Sequence, residues 1–406
     1  MKIGINALGL LPGVLGGGET YLRGLVHGLG RLCGDDEFLL FTNRENHPTF
    51  AALGDNFRRV RCDFSARWSI RALALTRIFG EQFYLPWRAA REGVEVIHSP
   101  LDTTVLQARC PTVMTLHDMN FEALPEASNA AQRAIARALV RLSARRASAI
   151  ITVSEFSRRE ITAGLKLRGD RLFVVHNGVG GAAPKELAIP EASMPSGLRP
   201  PYMVAFSSIN PHKNIAGLMR VFAGLRSADD CQLAIIGHPP MSGRPLPELA
   251  RQLGIENRVV FTGYVSERVK RQLTGGARLL AFPSLYEGFG LPVIEAMRAG
   301  VPVACSARAA LPEIAGPAAR YFDPDNADDF SAALADVLHD ETLRARLIAA
   351  GRRNARRFSW EQAARQTLQV YRRAAGQAGL AAAGRPGSGG ADETSEFQDS
   401  VNARHA

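Results

Sequence analysis

Apolar positions recur in short runs along this chain, and each run is followed by a longer stretch with helical spacing. In the first half the runs predict strands over 2–7, 38–42, 60–62, 94–98, 112–117, 149–153 and 172–176. Between them, apolar residues at three- and four-residue steps predict helices over 19–32, 69–78, 82–92, 129–146 and 157–163. The second half restarts the alternation, with strands over 202–206, 232–236, 259–262, 278–282, 301–305 and 319–322. Its helices are expected over 214–225, 245–253, 267–275, 292–299, 327–339 and 341–358, and Ser359 with Gln362 three residues on opens one more. Strands alternating with helices make βαβ units and a parallel sheet, so the fold class is α/β. A Gly/Pro/Ala/Ser-rich break separates two such units.

The expected organisation is a first domain over 1–179, a linker over 180–200 and a second domain over 201–358. A helix over 359–375 then packs back on the first domain, and a Gly/Ala/Ser/Glu-rich tail over 376–406 is disordered. Ligands of open α/β sheets bind beyond the carboxyl ends of the strands, so two facing units enclose a cleft there.

The chemistry concentrates in Phe282-Pro-Ser-Leu-Tyr-Glu-Gly-Phe-Gly-Leu-Pro-Val-Ile-Glu-Ala-Met297. A buried strand leads into a loop with Glu287, Gly288 and Gly290, and Pro292 sits in the first turn of a helix. Free N–H groups at a helix start, next to glycines, form an anion site. Glu287 and Glu295 lie eight residues apart, one in the loop and one inside the helix, so they address two parts of one ligand. Carboxylates accept from paired hydroxyls, and a phosphate flanked by two of them suggests a sugar nucleotide. The bland alternative is an ordinary βα turn with two solvated glutamates.

The segment resembles the glutamate, seven residues, glutamate signature of retaining glycosyltransferases with the GT-B fold, most closely glycosyltransferase family 4. The likeness extends over nearly all of the chain to about residue 374. It implies two Rossmann-like domains facing each other, with the acceptor mainly on the first and the nucleotide sugar on the second. It assigns His117, Lys213 and Glu287 to catalysis. Donor contacts are expected from Gly16, Gly17, Ser207, Lys213, Val265, Glu287, Gly288, Phe289, Gly290, Leu291 and Glu295. In this reading Glu287 holds sugar hydroxyls, Glu295 the ribose, and Lys213 the leaving diphosphate. Gly16-Gly17-Gly18 opens the first helix as a phosphate-contacting loop, against the alternative of a flexible turn.

His117 ends the strand Thr112-Val-Met-Thr-Leu-His, where a side chain faces the cleft, with Asp118 beside it. Ser154 or Ser157 is read as a helix cap, and Asn177-Gly178 as a turn into the linker. Many relatives carry arginine where this chain has Ser207 and His212, which leaves Lys213 with more of the charge. Pro-His-Lys213-Asn and His98-Ser99-Pro100 are similar to segments of mannosyltransferases, so GDP-mannose is the first donor expected. The acceptor is expected to be a glycan or a lipid-linked one. Asp323-Pro-Asp325 looks like a metal-binding pair but reads as a turn stiffened by proline. No metal and no cofactor beyond the nucleotide sugar is expected. Two rivals remain open: a hydrolase or epimerase of the same fold, and a non-catalytic partner subunit.

Composition changes this picture at one point. The chain has 406 residues and a net charge of +10, with apolar residues at 46%. The cation excess is nearly all arginine, so each of Lys2, Lys166, Lys185, Lys213 and Lys270 stands out. The chain has no recognisable nucleic-acid module, and the charge fits an anionic membrane surface better. Two basic amphipathic stretches are candidates for that contact: Arg67, Trp68, Arg71, Leu75, Arg77, Ile78 and Phe79, and the stripe Arg133, Arg137, Arg141 and Arg145 opposite Ile135, Leu139 and Leu142. Five scattered cysteines fit thiols in a reducing cytoplasm. With no run long enough to span a bilayer, the expected location is cytoplasmic, peripheral at the inner face of the plasma membrane.

Overall fold

The structure, a computed structural model, describes residues 1–13, 16–63, 65, 79–119, 130–180, 194–208, 211–225, 230–238 and 245–382. The first sheet is built from β1 (Lys2–Asn6), β2 (Glu37–Thr42), β3 (Phe57–Arg61), β4 (Val96–Ser99), β5 (Thr112–Thr115), β6 (Ala149–Thr152) and β7 (Leu172–Val174). Its order is β3-β2-β1-β4-β5-β6-β7, and every pairing is parallel. The second sheet contains β8 (Tyr202–Phe206), β9 (Gln232–Ile236), β10 (Val259–Gly263), β11 (Leu279–Phe282), β12 (Val303–Ser306) and β13 (Ala319–Phe322). Its order is β10-β9-β8-β11-β12-β13, again all parallel.

In each sheet the chain first winds one way and then returns to the other side of its first strand. The switch falls between β1 and β4 in one sheet and between β8 and β11 in the other. A crevice opens beyond the carboxyl ends at such a point. Helices cover the sheets: α1 (Gly17–Gly30), α2 (Leu85–Arg91), α3 (Ala130–Arg146) and α4 (Glu155–Leu165) in the first half. The second half has α5 (Ile215–Gly224), α6 (Leu246–Gln252), α7 (Glu267–Gly275), α8 (Leu291–Ala299), α9 (Leu311–Ala315), α10 (Ala327–His339) and α11 (Glu341–Ala355). Strands buried on both faces read as continuous apolar runs. Leu279, Leu280, Ala281 and Phe282 of β11 are buried accordingly.

The last helix, α12 (Trp360–Ala382), leaves the second domain and packs on the first. Its Trp360, Ala363, Ala364, Tyr371 and Ala374 share a core with Tyr21, Leu22 and Leu25 of α1. The approach is close enough that a Cβ on Gly28 would lie 2.2 Å from the Trp360 carbonyl oxygen. The helix continues through Ala382, past the 375 expected for its end. The run Ala-Ala-Gly-Gln-Ala-Gly-Leu-Ala-Ala is mostly strong helix former, and its glycines cost too little to stop propagation.

Two further expectations change. The helix expected over 82–92 is a π turn over Gly80–Tyr84 followed by α2. On α3 the buried residues are Val140, Ser143 and Ala144, whereas Leu142 is 45% exposed beside Arg141 and Arg145. Leu142 is therefore off the packed face, which Val140 and Ala144 form with Met114 of β5 and Ile150 of β6. The basic stretch at 66–78, most of the linker and the end of the tail lie outside the described residues. No described helix is long and apolar enough to cross a membrane.

Candidate active site

Beyond β8 and β11, Lys213 and Glu287 form an ion pair, with Nζ 2.5 Å from Oε1. Their side chains are only 17% and 12% exposed, and Lys213 also lies over the Phe282 ring at 5.2 Å. A lysine held against a carboxylate and a ring face is fixed in place and can meet an anionic group, and the carboxylate keeps lone pairs for hydroxyl donors. Ser207 ends β8 at the same switch point. Its Oγ is buried and has no hydrogen-bond partner among the described residues. An orphaned hydroxyl there is available to a ligand oxygen.

His212 does not do the work expected of an arginine at its position. It is 6% exposed, and burial, with the Lys213 charge beside it, pushes its imidazole down to about 4. It is neutral and adds no charge for a diphosphate. Its carbonyl instead accepts from Leu285 N at 2.8 Å and Ser284 Oγ at 3.3 Å, bracing the loop that leads to Glu287.

One turn inside α8, Glu295 meets Lys270 of α7 at 3.3 Å, and Lys270 also pairs with Glu267 at 2.9 Å. Burial pushes the Glu295 carboxyl up, and Lys270 pulls it back only in part. Burial lowers Lys270, but Glu295 and Glu267 outweigh this and hold its ammonium above the usual range. The lysine offsets part of the cost of burying this enclosed carboxylate. Sequence reasoning did not assign Lys270, although the scarcity of lysines had marked it out.

Gly290 adopts the left-handed φ of 94° as the N-cap of α8, ahead of Leu291. Phe289, expected at the donor, is 4% exposed and packs in the core with Phe358 at 5.6 Å. Its side chain points away from the cleft because the loop needs an apolar anchor, so only its backbone is left for a ligand. Val265 is half-buried against the core after β10, next to Tyr264, which is 59% exposed. Asp323 and Asp325 are held by Arg308, the first at 3.3 Å.

On the first domain, Gly16 adopts a φ of 49° and N-caps α1 without any side-chain cap. Positions 16 and 17 face open space, with nothing within 4 Å of an added Cβ. The first N–H groups of a fourteen-residue helix therefore remain unoccupied by side chains. His117 lies just past β5, and its Nε2 donates to the Pro100 carbonyl at 3.1 Å. Its backbone N–H donates to Asp102 Oδ1 at 3.0 Å, and its ring meets the Tyr21 ring edge-on at 4.7 Å.

The two domains touch through these same segments. A Cβ on Gly288 would sit 2.9 Å from the His117 carbonyl oxygen and 2.7 Å from Asp118 Oδ2, so glycine is what lets the Glu287 loop reach His117. The Gly288 carbonyl accepts from Ser154 Oγ at 2.7 Å and from Ser157 Oγ at 3.2 Å. Ser154 also caps α4 through Ser157 N. Tyr286 OH accepts from Met119 N at 3.2 Å. Glu313 of α9 accepts from Glu155 N at 2.8 Å and Phe156 N at 2.9 Å, and His176 Nε2 lies 3.2 Å away. A carboxylate on the start of α4 gains from the helix dipole. Tyr286 and Glu313 were not anticipated, since a contact between domains leaves no periodic mark in the sequence.

The site thus combines a fixed cation, two enclosed carboxylates and an uncapped helix start at the switch points of two parallel sheets. Comparison with known proteins defines the class. The description Glycosyltransferase Family 4 matches residues 15–180, and Glycosyl transferases group 1 matches residues 191–354. The fold is the two-domain GT-B fold of glycosyltransferases. The chain belongs to glycosyltransferase family 4, and it is a glycosyltransferase.

It is 29% identical to the O-antigen chain mannosyltransferase B of Escherichia coli over 311 residues, 75% of this chain and 76% of that protein. It is 33% identical to the MMP alpha-(1->4)-mannosyltransferase of Mycolicibacterium hassiacum over 238 residues, 57% of this chain and 55% of that protein. The sucrose-phosphate synthase of Thermosynechococcus elongatus superposes with a TM-score of 0.71 at 20% identity, over 92% of this chain and 98% of that one. That last likeness concerns the fold alone.

Proposed function

We propose that this glycosyltransferase moves a mannosyl unit from GDP-mannose to a glycan or lipid-linked acceptor in cell-surface polysaccharide synthesis, with retention. The observation that carries the reading is the Lys213–Glu287 pair, placed at the switch point beside His117. Lys213 stabilises the charge that builds on the leaving diphosphate, where a preorganised cation in a dry site is most effective. Ser207 Oγ and the start of α1 add donors to the same oxygens. Glu287 accepts from sugar hydroxyls, Glu295 from the ribose, and His117 meets the sugar from the first domain. In this reading no covalent nucleophile is assigned: attack occurs on the face the diphosphate leaves, and the leaving phosphate takes the acceptor's proton. The mannose assignment rests on the names of the two relatives above.

The acceptor end is proposed to work at the anionic inner face of a membrane. Phe79, Phe83 and Trp87 are 55%, 59% and 49% exposed along the segment entering α2. Arg91 stacks over Trp87 at 5.0 Å. Exposed aromatics beside arginine suit the headgroup boundary of an anionic bilayer.

The experiment is a thermal-shift screen of nucleotide sugars followed by transfer assays. A donor at about 100 times its dissociation constant stabilises by roughly 2.7 kcal/mol. GDP-mannose is expected to stabilise the protein and to be consumed only with an acceptor. Stabilisation by a uridine nucleotide sugar alone overturns the donor assignment. Release of free sugar as fast without acceptor as with it makes the protein a hydrolase.

A further inference from the structure

His98-Ser99-Pro100 takes no part in the proposed transfer as described so far, yet it ends β4 at the switch point. His98 does not reach the cleft: it is fully buried, as is Tyr371, while Tyr21 retains 1% exposure. Both of its ring nitrogens are engaged. Nδ1 lies 2.7 Å from Tyr371 OH on α12, and Nε2 lies 2.8 Å from Thr115 Oγ1 on β5. Thr115 Oγ1 in turn lies 2.9 Å from Tyr21 OH on α1. Each group can donate one bond and accept one, so the four form a head-to-tail chain in either direction. Burial, and then the His117 charge, push the His98 imidazole down to about 3, so the ring is neutral, as such a chain requires.

The chain ends on His117. The Tyr21 ring packs edge-on against the His117 ring, and Pro100, two residues beyond His98, supplies the carbonyl that holds His117 Nε2. Asp102, whose carboxylate holds the His117 backbone, itself donates its N–H to the Thr115 carbonyl at 3.0 Å. All three supports of His117 therefore run back to Thr115, to His98 or to a segment fixed by them. Tyr371 joins this set from α12, the helix that has crossed over from the second domain.

We infer that Tyr371, His98 and Thr115 are positioning residues that hold His117 in register for the donor sugar, tying its geometry to the docking of the C-terminal helix. The inference rests on reading His117 as the group that meets the sugar. An apolar core would fill the same space at less desolvation cost. A fully satisfied polar chain instead selects one arrangement. The partner that is recognised is internal: the face of α12 carrying Tyr371.

The test uses Tyr371→Phe, which removes one hydroxyl and keeps the ring, with Thr115→Ser and Thr115→Val as a conservative and a disruptive pair. A displacement of the order of an ångström at a positioned group lowers turnover by up to about a hundredfold. Tyr371→Phe and Thr115→Val are expected to lower kcat by about tenfold or more. Nucleoside diphosphate affinity should stay unchanged, since Lys213 and Glu295 lie on the second domain and the start of α1 at Gly16 is distant in the chain from the substituted positions, and Thr115→Ser should restore turnover. Histidine-labelled full-length protein gives a second readout, with the His117 ring resonance assigned through His117→Gln. Tyr371→Phe is expected to shift or broaden that signal and leave those of His176 and His238 in place. An unchanged His117 resonance with unchanged kcat overturns the inference and makes the chain a structural brace. If no nucleotide sugar is transferred by the wild type, the transferase reading fails, and the His117 resonance still decides this one.

Discussion

Lys213 and Glu287 neutralise each other at 2.5 Å, although 74 residues separate them in the chain. Removing one partner of an enclosed pair strands the other charge, whereas removing both does not. Lys213→Ala and Glu287→Ala are each expected to lower stability by about 1–3 kcal/mol, and the double variant by less than the sum. Denaturant unfolding of the four proteins measures the cycle. Strictly additive losses would mean that the two side chains do not share their charge.

The two glutamates should separate by role. Glu295→Ala is expected to weaken binding of the bare nucleoside diphosphate, and Glu287→Ala mainly to lower turnover. Lys270→Met should follow Glu295→Ala, because the ammonium is the main group opposing the upward push of burial on the Glu295 carboxyl. Calorimetry with the nucleotide alone checks this. Equal loss of affinity for Glu287→Ala and Glu295→Ala would remove the division of labour.

Much of this architecture was readable from the sequence, for a physical reason. Parallel strands covered on both faces must be apolar throughout, so β8, β9, β11 and β12 each announce themselves within about two residues. Glycine and proline around α8 fixed its start in the same way. What escaped was whatever depends on a second chain segment. Phe289 sits inside the donor motif but turns into the core, because Phe358 and His176 are there to receive it. His98 looked like a mere family mark until α12 brought Tyr371 to its Nδ1. On α3, Leu142 reads as part of the apolar face but is left exposed, because the packing of Val140 and Ala144 against the sheet decides the face.

Divalent ions should be dispensable. In the proposed reading the diphosphate meets Lys213 and the uncapped start of α1, while Asp323 and Asp325 are occupied with Arg308. Transfer after dialysis against excess chelator is expected to retain most of its rate. Complete loss, restored by manganese or magnesium, would overturn the charge assignment.

Acid should destabilise the protein through His98. Its pKa is depressed from 6.5 to about 3, so the unfolded chain binds the extra proton. The stability it confers is complete above pH 6.5 and is lost as pH falls from there towards 3. By pH 5 the loss from this residue reaches about 2 kcal/mol. His98→Asn, followed by urea unfolding between pH 7 and 5, should flatten that part of the profile (roughly 1.4 kcal/mol per unit). A slope identical to the wild type would place the proton uptake elsewhere, His212 being the next group.

Membrane contact should depend on both charge and aromatic rings. The Phe79 and Phe83 rings lie 5.5 Å apart, forming one patch rather than isolated exposures, and Trp87 continues it towards Arg91. Charge attraction is screened over roughly 8 Å at physiological salt, whereas inserted rings are insensitive to salt. Wild-type protein is expected to sediment with anionic vesicles at low salt, partly at high salt, and hardly with neutral vesicles. The double variant Phe83→Ser, Trp87→Ser should lose the salt-resistant part and keep its melting temperature, since both side chains are already exposed. Binding to neutral and anionic vesicles alike, or to neither, would leave the aromatic patch without a membrane partner.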